Sequence, residues 1–290
     1  MAGQTKANSA LQIRFWGVRG SHPAPGPSTV RIGGNSSCVE IATGGHTLVF
    51  DAGTGIIALG RHLLERGAAP VVHIFLSHLH HDHLEGLRYF APAYRNDWRC
   101  HLYGPGSDKK TLERTLRRTM DKRLFPVSLA ELPARLSMRG LGQRATVRFG
   151  GDTPAAVVAR HSSAHPKTGV LMYRISCAGR SIVYATDIEA PKGGHKDVVA
   201  FARGADVLIH DAQYTDTEYF DGIPNKTGWG HSTVRMAAEA ARDAGVGELL
   251  LYHHDPAHND KQVHRLERLA QTIFANSRAA YEGLEVMLAR

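Results

Sequence analysis

The sequence predicts an α/β (α+β) fold in which short strands dominate both halves and helices are interspersed among them. Three observations carry that expectation. Short β-branched and aromatic runs recur between Gly, Pro and Ser turns from residue 11 to residue 252. Longer stretches with helical spacing separate several of them. No Pro/Gly/Ser-rich linker and no short-period repeat divides the 290 residues, so a single domain over 1–290 is expected.

In chain order, strands are expected at Leu11–Trp16, Cys38–Ala42, Thr47–Phe50 and the strongly apolar Val71–Leu76. Further strands are expected at His101–Tyr103, Ala155–Ala159, Val170–Ser176, Ser181–Ala185, Val207–His210 and Leu249–Tyr252. Helices are expected over Gly55–Arg66, Leu84–Tyr94, Ser107–Arg123, Lys196–Arg203, Ser232–Ala244 and Asp260–Ala275. Ser232 offers an N-cap to the fifth of these, and Gly245 suits the position just past its end. Residues 105–140 are basic and helical in texture and are expected to form an insertion or lid. Within them, Arg114–Arg123 reads as the solvated face of a helix.

Bulk composition excludes several classes. At 42% hydrophobic and 21% charged the chain can build a sizeable core, and only residues 1–10 read as prone to disorder. No apolar run approaches the ~20 residues that span a bilayer, and the first ten residues lack a secretory apolar stretch. Three widely spaced cysteines, Cys38, Cys100 and Cys177, imply neither a disulfide framework nor a CxxC knuckle, so a reducing cytoplasm is the expected setting. The net charge of +8 would steer an anionic substrate inward, but no nucleic-acid-binding module signature accompanies it. The unusual number is 18 histidines, which directs attention to metals.

The informative segment is His78-Leu79-His80-His81-Asp82-His83, between the strand Val71–Leu76 and the helical spacing from Leu84. In an extended loop His78 and His80 fall on one side, where two imidazoles can reach one ion. Asp82 and His83 fall where they can reach a second. Imidazole and carboxylate together suit Zn²⁺ and comparable divalent ions. Four ligands cannot complete two shells, so others must come from strand ends: Asp51, His161 or His165, Asp187, and His253 or His254. Spacing alone does not choose among them.

That loop, preceded by Phe50-Asp51-Ala52-Gly53-Thr54-Gly55, resembles the metallo-β-lactamase superfamily, most closely the branch of ribonuclease Z and related phosphodiesterases. Tyr184-Ala185-Thr186-Asp187, Gly230-His231-Ser232-Thr233 and His210-Asp211-Ala212 carry the resemblance through the second half. It implies an αββα sandwich of two mixed sheets flanked by helices. It also implies that His78, His80 and His165 hold one metal and Asp82, His83 and His253 the other, with Asp187 bridging. Asp51 would steady the loop through hydrogen bonds. The expected cofactors are two divalent ions, zinc foremost, with manganese or iron as alternatives. The branch further suggests a homodimer.

Two such ions with a bridging hydroxide supply a nucleophile at neutral pH. Less Asp82, Asp187 and that hydroxide, they leave about one positive charge, which favours a phosphodiester over a neutral amide. His231, with Asp211 where ribonuclease Z carries glutamate, is the expected proton donor pair; Asp82 is counted with them as catalytic as well as a ligand. The expected activity is thus hydrolysis of a small, cyclic or nucleotide phosphodiester, or of an RNA end. The alternative is an acyl hydrolase (lactamase, lactonase or thioesterase) on the same fold. No long Gly/Pro-rich arm of the kind ribonuclease Z uses on tRNA is present. Arg19-Gly20-Ser21 and Gly33–Ser37 are left as loops that either line the pocket or simply turn the chain, and Lys167 as a residue that either binds an anion or faces solvent.

Overall fold

In the computed structural model, residues 9–289 are described; the first eight, part of the stretch expected to be prone to disorder, lie outside them. Among the described residues fourteen strands form two seven-stranded sheets. The first holds β1 (Ser9–Gly17), β2 (Cys38–Thr43), β3 (His46–Phe50), β4 (Val71–Phe75), β5 (Arg99–Gly104), β6 (Arg135–Gly140) and β14 (Glu285–Ala289), in the order β14-β1-β2-β3-β4-β5-β6. The second holds β7 (Arg144–Phe149), β8 (Ala155–Ser162), β9 (Val170–Cys177), β10 (Arg180–Ala185), β11 (Val207–Asp211), β12 (Glu248–Tyr252) and β13 (Ser277–Ala279), running from β7 to β13 in sequence.

Both sheets have the same grammar. Three antiparallel pairings lead to β3 in the first and to β10 in the second, and three parallel pairings follow. The facing sides bury one core that includes Phe15, Phe50, Phe75, Tyr173, Tyr184 and Tyr252. Outside the first sheet, α1 (Gly55–Glu65) and α2 (Lys109–Thr119) cover a second cluster, in which Leu59, Leu63, Leu112 and Leu116 are buried. Outside the second sheet, α3 (Gly194–Ala202), α5 (Val234–Ala244) and α6 (Asp260–Gln271) cover a third, Ala-rich cluster. A short α4 (Asp216–Phe220) follows β11. The layers are αββα, as the resemblance implies. None of these helices is long and apolar enough to cross a membrane.

Four strands were not legible in the sequence: β6, β7, β13 and β14. They are the four sheet edges. β6 (RLSMRG) alternates exposed and half-buried positions, so its apolar signal is diluted by the charges that keep open edges from pairing with other chains.

The expected helix Leu84–Tyr94 is corrected to successive 3₁₀ turns at His81–His83, Leu87–Tyr89 and Ala91–Tyr94. Leu84, Leu87, Phe90 and Ala93 are buried at a spacing of three, which is the 3₁₀ period, with Gly86 and Pro92 buried between them. Pro92 also removes a donor that an α-helix would need. The N-cap of α5 is Thr233, whose hydroxyl accepts from Met236 N at 3.3 Å; Ser232 donates instead to the Ile188 carbonyl. Gly245 closes that helix at φ 62°, as expected. Residues 105–140 fold as α2, a 3₁₀ turn and the edge strand β6, with Arg114, Arg117 and Arg118 exposed.

Candidate metal centre

Strand ends carry the site. Asp51 follows β3, Ser77–His83 follow β4, His165 lies beyond β8, Asp187 beyond β10, Asp211 ends β11, and His253 follows β12. Asp51, Asp187 and His253 sit at φ 62°, 55° and 60°, a left-handed conformation that non-glycine residues seldom adopt. Three such residues at one rim mark positions where the surrounding fold holds side chains against local preference.

The structure brings the expected residues together in two adjoining groups. His78, His80 and His165 form one, with His165 Nε2 3.2 Å from His80 Nδ1. Asp82, His83 and His253 form the other: Asp82 Oδ2 lies 3.1 Å from His83 Nε2 and 3.3 Å from His253 Nε2. Asp187 stands between them, Oδ1 3.7 Å from His78 Nε2 and Oδ2 3.4 and 3.3 Å from the Nε2 atoms of His83 and His253. His161 and His254 stay outside the cluster; His254 Nε2 bonds the Ala280 carbonyl, and His81 points into solvent beside Glu85.

The far nitrogens fix which atoms face inward. His83 Nδ1 donates to Asp51 Oδ2 (2.8 Å), His253 Nδ1 to Gln213 Oε1 (3.0 Å) and His165 Nδ1 to the Gly230 carbonyl (3.2 Å). Each inner Nε2 is therefore left with a lone pair, and those of His83 and His253 face one another at 3.3 Å. His78 Nε2 is buried with no hydrogen-bond partner. Converging lone pairs and an orphaned buried nitrogen are what a cation would satisfy, so the donor set fits divalent ions.

The carboxylates leave negative charge to be balanced. Burial would lower His83, but Asp82, then Asp187 and Asp51, push it well above the ordinary imidazole value, so a proton is drawn to where a cation would stand. Burial alone would raise Asp82 and Asp187, but the neighbouring imidazoles, His83 and His253 foremost, hold both well below the usual carboxylate range. Burial and His83 keep His78 well below the ordinary imidazole value, so it stays neutral. His231 goes the other way. Burial disfavours its charged form, but Asp211, then Asp187 and Asp82, outweigh that and push it up to about 9. Its Nδ1 is 2.8 Å from Asp211 Oδ2, so the aspartate closes the pair even though it is a methylene shorter than glutamate.

Asp51 holds the loop by hydrogen bonds, as the resemblance implies, whereas the parts played by Tyr184 and Gln213 lay beyond sequence reasoning. Asp51 accepts from Ser77 N, Ser77 Oγ and Tyr184 OH as well as from His83. Gln213 reads as an ordinary strand-end residue, yet it holds His253 and donates to Ser21 Oγ, while Ser21 N donates to Asp82 at 2.8 Å. Gly20 must be glycine because a Cβ there would lie 2.3 Å from His253 Nδ1. Arg19 is wholly buried and clamps the carbonyls of Gly33, Asp255 and His258 rather than lining the site. Asn35 and Ser36 bond Glu282 and Glu85, tying loops together. Lys167 is exposed at φ 66°.

A family model described as the beta-lactamase superfamily domain matches residues 46–254, which hold the whole cluster. The chain belongs to the metallo-β-lactamase superfamily. It is 30% identical to the ribonuclease Z of Gemmatimonas aurantiaca over 96% of each chain, which places it on the ribonuclease Z branch. The metallo-β-lactamase fold protein YhfI from Bacillus subtilis superposes with a TM-score of 0.69 at 18% identity, over 96% of this chain and 99% of that one. Human tRNase Z, short form, superposes with a TM-score of 0.66 at 20% identity, over 96% and 100%. Both likenesses show the metallo-β-lactamase fold. The superfamily fold implies divalent metal ions, and this member is a metal-dependent hydrolase.

Proposed function

We propose that this superfamily member is a dinuclear phosphodiesterase acting on a small, cyclic or nucleotide phosphodiester or an RNA end. His78, His80 and His165 would hold one ion, Asp82, His83 and His253 the other, and Asp187 would bridge them. Zinc suits the imidazole-rich set best, with manganese or iron as alternatives. When bound, such ions supply a nucleophile from water at neutral pH and a clamp for developing charge. The homology to ribonuclease Z supports the substrate class, and a homodimer is part of the same reading.

The observation that carries the proposal is the His231–Asp211 pair beside the cluster. Expulsion of an alkoxide from phosphorus needs a proton, and an imidazole held at 2.8 Å by a buried carboxylate is charged and oriented to give one. Cations on Asp82 and Asp187 cancel part of their pull on His231, which leaves Asp211 as its lasting partner. Asp211 is itself fixed by the Gln213 amide at 3.1 Å. A thioester makes less demand on such a donor, because a thiolate leaves readily unprotonated.

The test compares kcat/KM on bis(p-nitrophenyl) phosphate, a dinucleotide, nitrocefin and a thioester, with added Zn²⁺ or Mn²⁺. The phosphodiesters are expected to lead. Nitrocefin or the thioester turning over as well as the best phosphodiester would replace this reading with an acyl hydrolase.

A further inference from the structure

Two residues before His231, the chain displays a tryptophan. Trp229 is 47% exposed, yet the backbone on both sides of it is pinned. Gly228 N and Gly230 N both donate to Glu189, a fully buried carboxylate that also accepts from Tyr219 OH at 2.6 Å. Trp229 N itself donates to the Lys226 carbonyl at 3.1 Å. Gly230 is locked against a metal-site residue as well, since a Cβ there would lie 2.3 Å from His165 Nδ1. A large ring left open on so constrained a loop is already ordered and can take a stacking partner without fixing the loop first.

Its surroundings define what it would contact. Lys226 Nζ lies 4.0 Å from the Trp229 ring centroid and 5.7 Å from that of Tyr214. Tyr214 in turn meets the His231 ring edge-on at 5.9 Å. A line of contacts therefore runs from His231 through Tyr214 and Lys226 to Trp229. With His231 as the donor on the leaving side, a departing group that followed these contacts outward would reach the Trp229 ring. An ammonium on the ring disfavours a purely apolar occupant. It suits one that combines a planar π-system with negative charge, because aromatic rings stack on every base and lysine neutralises phosphate.

We propose that Trp229 and Lys226 form a nucleobase-stacking subsite on the departing side of the metal centre, so that the substrate carries a base next to its scissile phosphodiester. The inference rests on His231 as the proton donor, and it goes beyond the reaction class to the substrate's composition.

Two measurements separate the subsite from the reaction class. In calorimetry on the metal-loaded protein, adenosine 5′-monophosphate is expected to bind about tenfold more tightly than ribose 5-phosphate. Trp229→Ala should erase that preference, and Trp229→Phe, which keeps a ring and the packing, should retain most of it. In turnover, a dinucleotide should outpace the same compound with an abasic ribose on the departing side, by a similar factor in KM. Equal binding of the two monophosphates by the wild-type protein overturns the subsite without reference to any variant. So does a Trp229→Ala variant that weakens both ligands alike, since the ring then only holds the loop. Equal turnover of the two diesters removes the subsite and leaves the phosphodiesterase reading standing. A base preference in binding with no diester turned over does the reverse.

Discussion

The Tyr184 hydroxyl donates to Oδ2 of Asp51 at 2.7 Å, a buried bond that crosses from the second sheet to the first beside the histidine cluster. The same carboxylate oxygen takes His83 Nδ1 at 2.8 Å, so the orientation of one proposed ligand depends on a residue from the opposite sheet. Partners of this kind typically contribute 10–100-fold to metal affinity. Tyr184→Phe removes one donor to a charged acceptor and leaves the ring packing intact. It is expected to weaken the ion at His83 by about tenfold, measured by competition with a chelating dye. Unchanged affinity would confine Tyr184 to the core.

Asp187 is the proposed bridge. The purified protein should carry close to two divalent ions, and Asp187→Ala should lose metal from both positions and abolish turnover. Elemental analysis of the metal-replete protein reads this directly. A variant that keeps both ions removes Asp187 from that role, and a wild-type protein that never exceeds one ion ends the dinuclear reading.

His231 should matter in proportion to the leaving group. Loss of a general acid lowers rates by ~10²–10⁴, but only where the departing oxygen needs a proton. His231→Ala should therefore lose far more activity on a nucleotide diester than on bis(p-nitrophenyl) phosphate, whose nitrophenolate leaves unprotonated. Asp211→Asn should show the same pattern more weakly. Equal losses on both substrates would mean that His231 binds or supports rather than donates.

Gly20 tests steric control. Its φ needs no glycine, so Gly20→Ala acts only by driving a methyl group to within 2.3 Å of His253 Nδ1. His253 must swing away from Gln213, and the ion shared with Asp82 and His83 is expected to weaken while that at His78, His80 and His165 stays. Metal titration monitored by activity and stoichiometry would show one ion retained. Retention of both would mean that the loop moves instead.

Away from the site, burial first, then His101 and His46, lower His73 to about 4. An unfolded chain binds the proton near the ordinary imidazole value of about 6.5. Between those values the unfolded state holds more protons, so stability is complete above about pH 6.5 and falls as pH drops toward 4. The slope is at most about 1.4 kcal/mol per pH unit, less after allowance for partial exposure. His73→Leu should flatten that decline in urea titrations at pH 7, 6 and 5. An identical pH dependence in both proteins would place the acid sensitivity elsewhere.

What could be read from the sequence divides along physical lines. The H-x-H-x-D-H loop is legible because a metal dictates both residue type and spacing within one short segment. The remaining proposed ligands depend on which strand ends meet: position after a strand nominated Asp51, His161 or His165, Asp187, and His253 or His254, and the family resemblance chose among them. Strands such as β10, β11 and β12 were legible because both their faces are buried, and β1, β5 and β8 because one face is buried and apolar while the other is more open; the edges were not. Leu84–Ala93 was misread because apolar residues every three positions fit helical spacing loosely and 3₁₀ turns closely. Gln213 and Glu189 carry no local signal, since their partners lie 40 or so residues away in the chain.

The pairing of β14 with β1 bears on the order in which the molecule can be completed. β1 lies between β14 and β2, so residues 9–17 lack a neighbour on one side until residues 285–289 arrive. Until β14 is made, β1 is an open edge of the first sheet whose inward side chains include Leu11 and Ile13. An unpaired edge of that kind invites pairing with another chain. Closing it late makes this the contact with the greatest sequence separation in the fold, and such contacts slow folding. β14 thus works as a clasp, and shortening it exposes β1.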